Sequence, residues 1–261
     1  MSRGTFLDLD PLSLKEAEVI VVPIPYEATT TYGGGTRMGP EAILAASRQV
    51  ELWDEEGNWN PSGKIRLATA GEISPDAGGP AAMLDKIKKR VRPWIAEGKT
   101  LISLGGEHSI TLALVESYLT KYPDLTVVAL DAHADLRDKY ENSQLSHACV
   151  MRRVWELGRP LTMIGVRSYS AGEYDFMRVA PRLTLLKARN LQDPEYRQRT
   201  LEHLGRIKGP VYISFDVDAL DPAVLPGTGT PEPGGLSYYQ ALEILQAIIA
   251  RGPVVGFDLT E

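Results

Sequence analysis

Short apolar runs alternate with longer amphipathic stretches along the whole chain, and this alternation restricts the possible folds more than any other feature. Apolar runs rich in Val, Ile and Leu predict strands at residues 18–22, 100–104, 126–130, 161–166, 211–215 and 254–257. Few polar residues interrupt these runs, which is typical of strands buried on both faces of a parallel sheet. Stretches of helical length occur at residues 40–48, 81–97, 110–121, 147–156, 195–207 and 237–250.

Strands that alternate with helices predict an α/β fold, here a three-layer α/β/α architecture around a mainly parallel central sheet. Ser237 and Gln240 have the spacing of a capping box at the start of the last predicted helix. No internal repeat, low-complexity tract or linker divides the 261 residues. We therefore expect residues 1–261 to form a single domain.

Composition excludes several classes of protein. No run of about eighteen apolar residues and no leader-like N-terminal stretch occurs, so a membrane protein is not expected. Cys149 is the only cysteine, which excludes an internal disulfide framework. The formal net charge of −6 argues against a nucleic-acid partner, because such proteins usually carry a basic face. A cytoplasmic protein is the expectation that fits these observations.

Acidic residues and histidines cluster where three of the predicted strands end. LISL is followed by GGEHS at residues 105–109, VVAL by DAHAD at 131–135, and YISF by DVDALDP at 216–222. In open parallel sheets the carboxyl ends of the strands share one edge, where ligands bind. We therefore expect these three segments to deliver their side chains to one site.

Convergence of four aspartates from these segments would create a large repulsion. Each like-charge pair costs about 4 kcal/mol at about 4 Å with an effective dielectric constant of about 20. Protonation, a cationic partner or a bound metal could relieve it, and the segments themselves contain no Lys or Arg. Two imidazoles and four carboxylates without a thiolate favour Mn²⁺ over a structural Zn²⁺. The predicted metal ligands are His108, Asp131, His133, Asp135, Asp216 and Asp218.

The same segments resemble the ureohydrolase family, which comprises arginase, agmatinase, formimidoylglutamase and guanidinobutyrase. The resemblance rests on LGGEHSIT, ALDAHADLRD, SHACVMRRV, SFDVDALDPAVLPGTGTPEPGGLS, GFDLTE and the N-terminal YGGGTRMGPEAIL. These motifs cover nearly the whole chain, and SFDVDALDP is the most specific of them. The resemblance implies an arginase-like catalytic domain, two Mn²⁺ per subunit, and a homo-oligomer that is a trimer or a hexamer. It also predicts further residues beyond Glu261 in a complete family member.

By this resemblance, one Mn²⁺ would be held by His108, Asp131, Asp135 and Asp216. The other would be held by His133 and Asp218 together with the same two bridging residues, Asp131 and Asp216. Many family members have Asp where this chain has Glu107, just before the first histidine. Because that position is not a ligand in the family, we expect only an indirect effect of the difference.

The resemblance further implies hydrolysis of a guanidinium group through attack of a metal-bridging hydroxide on its planar carbon. Asp135 would accept a hydrogen bond from the hydroxide and pass a proton to the leaving amine. His147 matches the proton-shuttling histidine of the family, although a histidine packed against Tyr140 at a helix start is the alternative interpretation. Glu261 matches the carboxylate that pairs with the guanidinium.

The expected substrate is a cationic guanidino compound. Arginases carry an asparagine two residues after the last Asp of the DAHAD motif, and this chain has Arg137 there. The SHA sequence at residues 146–148 and the Arg-Arg pair after it are similar to bacterial and archaeal agmatinases. Agmatine, cleaved to putrescine and urea in polyamine biosynthesis, is therefore the favoured substrate. N1-aminopropylagmatine is the main alternative, followed by the substrates of arginase, guanidinobutyrase and formimidoylglutamase.

Two other classes of protein are compatible with the same residues. An amide hydrolase of the deacetylase type resembles a one-zinc version of this site, and a metal-stabilised regulatory scaffold would use the ligands without catalysis. The glycine-rich loops at residues 33–35 and 227–230 lack the spacing of a phosphate or dinucleotide loop. We interpret both as loops at the rim of the site.

Overall fold

A computed structural model describes residues 5–261, so residues 1–4 of the expected domain lie outside the described residues. The strands of this part of the chain are β1 (Val19–Ile24), β2 (Leu67–Thr69), β3 (Thr100–Gly105), β4 (Thr126–Leu130), β5 (Leu161–Ile164), β6 (Leu183–Leu186), β7 (Val211–Asp216) and β8 (Val254–Thr260). They form one sheet in the order β2-β1-β3-β8-β7-β4-β5-β6, and every neighbouring pair is parallel.

Helices cover both faces of this sheet. The α-helices found among residues 5–261 are α1 (Gly39–Ala46), α2 (Pro80–Ala96), α3 (Ile110–Leu119), α4 (Val150–Glu156), α5 (Ala171–Val179), α6 (Ala188–Leu191), α7 (Pro194–Leu204) and α8 (Tyr238–Ile249). None of the described helices is long and apolar enough to cross a membrane. The predicted three-layer α/β/α fold with a parallel central sheet is confirmed.

Alternating side chains of β4 show why this central strand is almost entirely apolar. Val127 and Ala129 pack into a core with α2, α3 and α4, whereas Val128 and Leu130 pack into a second core with α7 and α8. Successive side chains of a strand point to opposite faces, so a strand covered on both faces has no solvent-facing positions. The middle of β4 is therefore apolar, and its polar neighbours in the sequence come where the strand ends.

Two short edge strands and helix α5 are among the elements that the sequence prediction missed. Strands β2 and β6 are the two edges of the sheet and are three and four residues long, too short for an apolar run to stand out. Helix α5 was also missed, although Ser170 and Glu173 form a capping box at its start that the sequence already shows. The predicted capping box of Ser237 and Gln240 is confirmed.

The four central strands β3, β8, β7 and β4 lie side by side, and this order positions the site. Asp216 at the end of β7 pairs in register with Thr260 of β8, so Glu261 follows immediately at the same edge. Segment 105–109 follows β3, and segment 131–135 follows β4. All the segments singled out in the sequence therefore reach one edge of the sheet.

Candidate active site

Three of the predicted ligands form a buried inner group at this edge. The donor atoms of His108, Asp131 and Asp135 all lie within 4.8 Å of one another. Nδ1 of His108 lies 3.2 Å from Oδ2 of Asp131 and 3.2 Å from Oδ2 of Asp135. Side chains from the ends of two different strands, β3 and β4, thus meet around one point.

Asp131, His133 and Asp218 form a second, outer group, and Asp131 belongs to both groups. Nδ1 of His133 lies 2.8 Å from Oδ2 of Asp218 and 3.8 Å from Oδ1 of Asp131. Asp216 was expected to bridge two ions, and its Oδ2 lies 3.5 Å from Nδ1 of His108. The structure thus brings all six predicted ligands together, although Asp216 joins neither three-residue group.

Local backbone geometry explains how the acids converge. Asp216 ends β7, and its side chain accepts a 3.0 Å hydrogen bond from the N–H of Asp218 at the start of a 3-10 turn over Val217–Ala219. This turn keeps Asp218 at the sheet edge, where it accepts a 3.0 Å hydrogen bond from the N–H of Ala132. Asp135 has a φ of 50°, in the left-handed region that aspartate tolerates better than most residues.

The electrostatics of the cluster reflect the repulsion expected from the sequence. Burial, followed by the charges of Asp135 and Asp218, raises the pKa of Asp131 to about 7. Burial and the neighbouring aspartates also raise the pKa of Asp216 well above its ordinary value. Burial lowers the pKa of His133, but the contact with Asp218 and the charge of Asp131 outweigh it and raise that pKa to about 10. Carboxylates this close together need positive charge, which protons or divalent cations can supply.

Two atoms at the centre of the inner group lack a hydrogen bond. Nδ1 of His108 and Oδ2 of Asp131 are buried, and neither has a hydrogen-bond partner among residues 5–261. Buried polar atoms are nearly always satisfied, so such atoms call for an explanation. An imidazole nitrogen among carboxylate oxygens is a suitable donor set for a divalent cation such as Mn²⁺. The residues present therefore fit the expected metal.

A buried relay of hydrogen bonds, which the sequence did not reveal, lies behind His108. Its Nε2 is 2.9 Å from Oγ of Ser214, and Ser214 donates a 2.7 Å hydrogen bond to the fully buried Asp258. Because the hydroxyl proton of Ser214 is used in that bond, Nε2 of His108 must be the donor, so Nδ1 is the nitrogen that faces the carboxylates of Asp131 and Asp135. Ser214 stands two residues before Asp216 on β7, so the period of a strand already predicts that they share a face.

The surroundings of His133 are more open. Its Nε2 lies 3.7 Å from Oε1 of Glu232, whose side chain is 37% exposed. Glu232 also accepts a 2.9 Å hydrogen bond from the hydroxyl of Ser168. Arg167 fastens this side of the site by donating to the carbonyl oxygens of Glu232 at 2.6 Å and Asp218 at 2.8 Å. The sequence did not reveal these residues, because each lies in a loop whose path no periodicity predicts.

His147 and Glu261, both predicted as catalytic residues, lie side by side. Nδ1 of His147 is 3.2 Å from Oε1 of Glu261, and the same oxygen accepts a 2.9 Å hydrogen bond from the N–H of His108. Burial lowers the pKa of His147, but the contact with Glu261 outweighs burial and raises it. Nε2 of His147 is buried and has no hydrogen-bond partner in the described part of the chain. The pair therefore favours an imidazolium with one ring nitrogen unpaired.

Both groups border a cavity of about 250 Å³. His147 and Glu261 line it, as do Arg137, Tyr140 and Glu173. The Arg137 guanidinium lies 4.7 Å from the centroid of the Tyr140 ring, and its Nε lies 3.8 Å from Glu173. The two glycine-rich loops border a neighbouring cavity that shares Glu261, which agrees with a position at the rim.

Comparison with known proteins places the chain in a family. The sequence pattern of the arginase family matches residues 17–261. The N(1)-aminopropylagmatine ureohydrolase of Synechocystis sp. is 39% identical over 264 residues, which cover 98% of this chain and 85% of that protein. An agmatinase of Pyrococcus horikoshii is 33% identical, over 99% of this chain and 88% of that protein. The crystal structure of agmatine ureohydrolase of Thermoplasma volcanium has a TM-score of 0.86 and 30% identity, over 96% of this chain and 83% of that one. The chain therefore belongs to the arginase family, as an enzyme of the ureohydrolase kind that the sequence predicted.

Proposed function

We propose that this chain hydrolyses the guanidinium group of an agmatine-type amine and releases urea and the free amine. The observation that carries the proposal is that Glu261 and His147 border the same cavity as both groups of potential metal ligands. Agmatine, which would give putrescine, is the first candidate substrate. N1-aminopropylagmatine is the second, and the name of the relative from Synechocystis sp. favours it.

The proposed cofactor is a pair of Mn²⁺ ions. One ion would be held by His108, Asp131, Asp135 and Asp216, and the other by His133, Asp131, Asp216 and Asp218. Four carboxylates balance the charge of two divalent cations. When bound, the ions would supply Lewis acidity, which lowers the pKa of water and polarises the substrate.

Side chains of the protein itself account for binding the guanidinium. Oε1 of Glu261 is held by the N–H of His108 and by His147. Among residues 5–261 no donor bonds to Oε2 of Glu261, so this oxygen is available for a charge-assisted hydrogen bond to a guanidinium. Glu261 therefore binds the substrate with one oxygen and its neighbours with the other.

Proton transfer is the second task of these side chains. The raised pKa of His147 favours the protonated imidazole, so its unpaired Nε2 can give a proton to the leaving amine as the C–N bond breaks. Asp135 lines the same cavity and would pass one proton of the attacking water to the leaving amine. The other proton of that water would restore the one given up by His147, so the amine leaves as an ammonium ion and urea is neutral.

A substrate panel with added Mn²⁺ tests the proposal. Product release is measured with agmatine, aminopropylagmatine, arginine, guanidinobutyrate and formiminoglutamate. We expect agmatine or aminopropylagmatine to have the highest kcat/KM, and Asp135→Asn to lower it by at least about 100-fold. Wild type and variant that are equally inert with every compound would refute the proposal. Metal content of the same samples is decisive for the cofactor, since one zinc per chain contradicts a manganese pair.

Two further expectations accompany this function. The family resemblance predicts a homo-oligomer, a trimer or a hexamer, and the composition predicts a cytoplasmic protein. Light scattering of the purified chain and fractionation of cells that express it would test them.

A further inference from the structure

Glu107 is buried beside the site, yet it is neither a predicted ligand nor a predicted substrate contact. Its side chain is fully buried. Oε2 accepts hydrogen bonds from the N–H groups of Ala28 at 2.5 Å and Thr29 at 2.6 Å. Oε1 accepts hydrogen bonds from the hydroxyls of Thr29 at 2.8 Å and Ser109 at 2.5 Å. Four donors occupy both oxygens, so this carboxylate organises protein groups and offers no free oxygen to a cation.

Thr29 connects Glu107 to the proposed proton donor. The Thr29 hydroxyl donates to Glu107 and accepts a 2.9 Å hydrogen bond from the N–H of His147. His147 in turn contacts Glu261 at 3.2 Å, and Glu261 accepts a hydrogen bond from the N–H of His108. Because His108 follows Glu107 in the chain, these contacts close a ring, Glu107–Thr29–His147–Glu261–His108.

The backbone at Gly106 and Glu107 packs closely against the segment that follows β1, and this contact restrains the ring of residues. The N–H of Gly106 donates a hydrogen bond to the carbonyl oxygen of Ile24, and the N–H of Glu107 donates one of 2.8 Å to the carbonyl oxygen of Tyr26. A Cβ at position 106 would collide with the carbonyl oxygen of Tyr26, so only glycine permits the approach. The segment that carries Thr29 is thus held from both its backbone and its hydroxyl.

We propose that Glu107 is a positioning residue, which holds His147 in place through the hydroxyl of Thr29. The inference rests on the proposed function in so far as His147 delivers the proton. Without the hydroxyl of Thr29, the N–H of His147 would lose its hydrogen bond. The imidazole of His147 would then sample other orientations relative to Glu261. Loss of a well-placed proton donor lowers kcat more than KM, because the interaction matters mainly in the transition state.

Thr29→Val tests the link with the smallest change, because it replaces the hydroxyl by a methyl group of similar volume. Thr29→Ser is the matched variant that keeps the hydroxyl and should rescue the function. The first readout is hydrogen exchange at the His147 amide, measured on the metal-loaded full chain. We expect exchange to be about tenfold faster in Thr29→Val and close to wild type in Thr29→Ser. Unchanged exchange in Thr29→Val would overturn the proposal, whatever the enzyme's activity.

Steady-state kinetics supplies the second readout, with agmatine or the best substrate of the panel. We expect Thr29→Val to lower kcat by about tenfold with KM changed by less than about twofold, and Thr29→Ser to restore most of kcat. In a His147→Ala background, Thr29→Val should have almost no further effect. An equal loss in both backgrounds would show that Thr29 acts independently of His147 and would overturn the proposal.

Glu107→Gln tests the carboxylate itself. A Gln side chain places an NH₂ group where two donors now find an acceptor, so it should loosen the His147 amide at least as much as Thr29→Val. If Glu107→Gln leaves that amide protected while wild type releases urea, the proposal fails and the proposed function stands. If wild type is inert with every compound but the amide responds as expected, the function fails and the structural link stands.

Discussion

The inner and outer groups of potential ligands share Asp131 but differ in how the fold holds them. The side chain of His108 is completely buried, whereas that of His133 is 25% exposed. Behind His108, the relay through Ser214 ends on Asp258 in the central sheet. Behind His133 stands Glu232, which lies in a loop and is partly exposed.

This difference shows how a single sheet edge can provide two unlike groups of potential ligands. Side chains backed by strands are shielded from water and fixed by hydrogen bonds that form with the core. Side chains backed by loops depend on fewer contacts, here largely on the hydrogen bonds of Arg167 to the carbonyls of Asp218 and Glu232. Local opening is easier where few buried contacts hold a segment. We therefore expect the inner group to bind its ion more tightly than the outer group.

The largest effect should come from Asp131→Asn, because Asp131 belongs to both groups. We expect kcat/KM to fall by at least about 1000-fold, together with loss of manganese from both groups. Plasma emission spectrometry on dialysed protein measures the metal. Asp138→Asn is the matched control, since Asp138 is exposed and pairs with Arg153 outside the cluster. Full retention of two ions by Asp131→Asn would contradict a shared ligand.

A smaller effect should separate the two histidines. His108→Asn removes the buried donor of the inner group and should lower kcat/KM by at least about 100-fold with loss of both ions. His133→Asn should keep about one ion per chain, because the inner group is intact. Metal content and thermal stability are measured for both variants. The comparison fails if His133→Asn loses as much metal as His108→Asn.

Replacing the carboxylates behind the two histidines should have weaker effects. Asp258, on the side of His108, should matter more than Glu232, on the side of His133. Residues that orient a ligating imidazole typically change metal affinity by about 10- to 100-fold when replaced. We expect Asp258→Asn to fall in this range and Glu232→Gln to change manganese affinity by less than about tenfold, since Glu232 is 3.7 Å from the ring. Competition with a metal-binding dye measures both. A larger effect of Glu232→Gln would reverse the proposed ranking of the two sides.

The smallest expected difference is in the rates at which the two ions leave the wild-type protein. When the manganese-loaded chain is mixed with excess EDTA, we expect two phases of metal release. Their rate constants should differ by about several-fold, because the outer group should open locally more often than the inner group. Arg167→Lys should accelerate only the fast phase, because a lysine cannot satisfy the same set of carbonyls. A single phase in wild type would show that the two ions leave together.

Strand prediction succeeded where burial on both faces leaves a clear pattern. The run 126–130 matches β4 at both ends, since each of its five residues is buried in the structure. The edges of the sheet gave no such pattern, because β2 and β6 contact one neighbouring strand each and are short. The convergence of acids and histidines at one sheet edge was predictable for a related reason, as charged residues directly after apolar strands are conspicuous.

Contacts between distant segments could not be predicted in this way. Ser214 and Asp258 are 44 residues apart, and they meet because β7 and β8 are neighbours in the sheet. Thr29 and Glu107 are 78 residues apart along the chain, and a hydrogen bond joins them after β1 and β3 pair. Neither residue pair carries a local signal, because each contact depends on which strands become neighbours in the sheet.

Residue order alone determined the α/β class, the strand ends that carry acids and histidines, and the need for positive charge among four converging aspartates. These follow from the periodicity within single segments, from the edge that parallel strands share, and from Coulomb repulsion. Only the tertiary structure decided which histidine lies deep and which lies near the surface. It alone joined Glu107 through Thr29 to His147, because the strand order β1-β3-β8-β7-β4 determines which loop ends become neighbours.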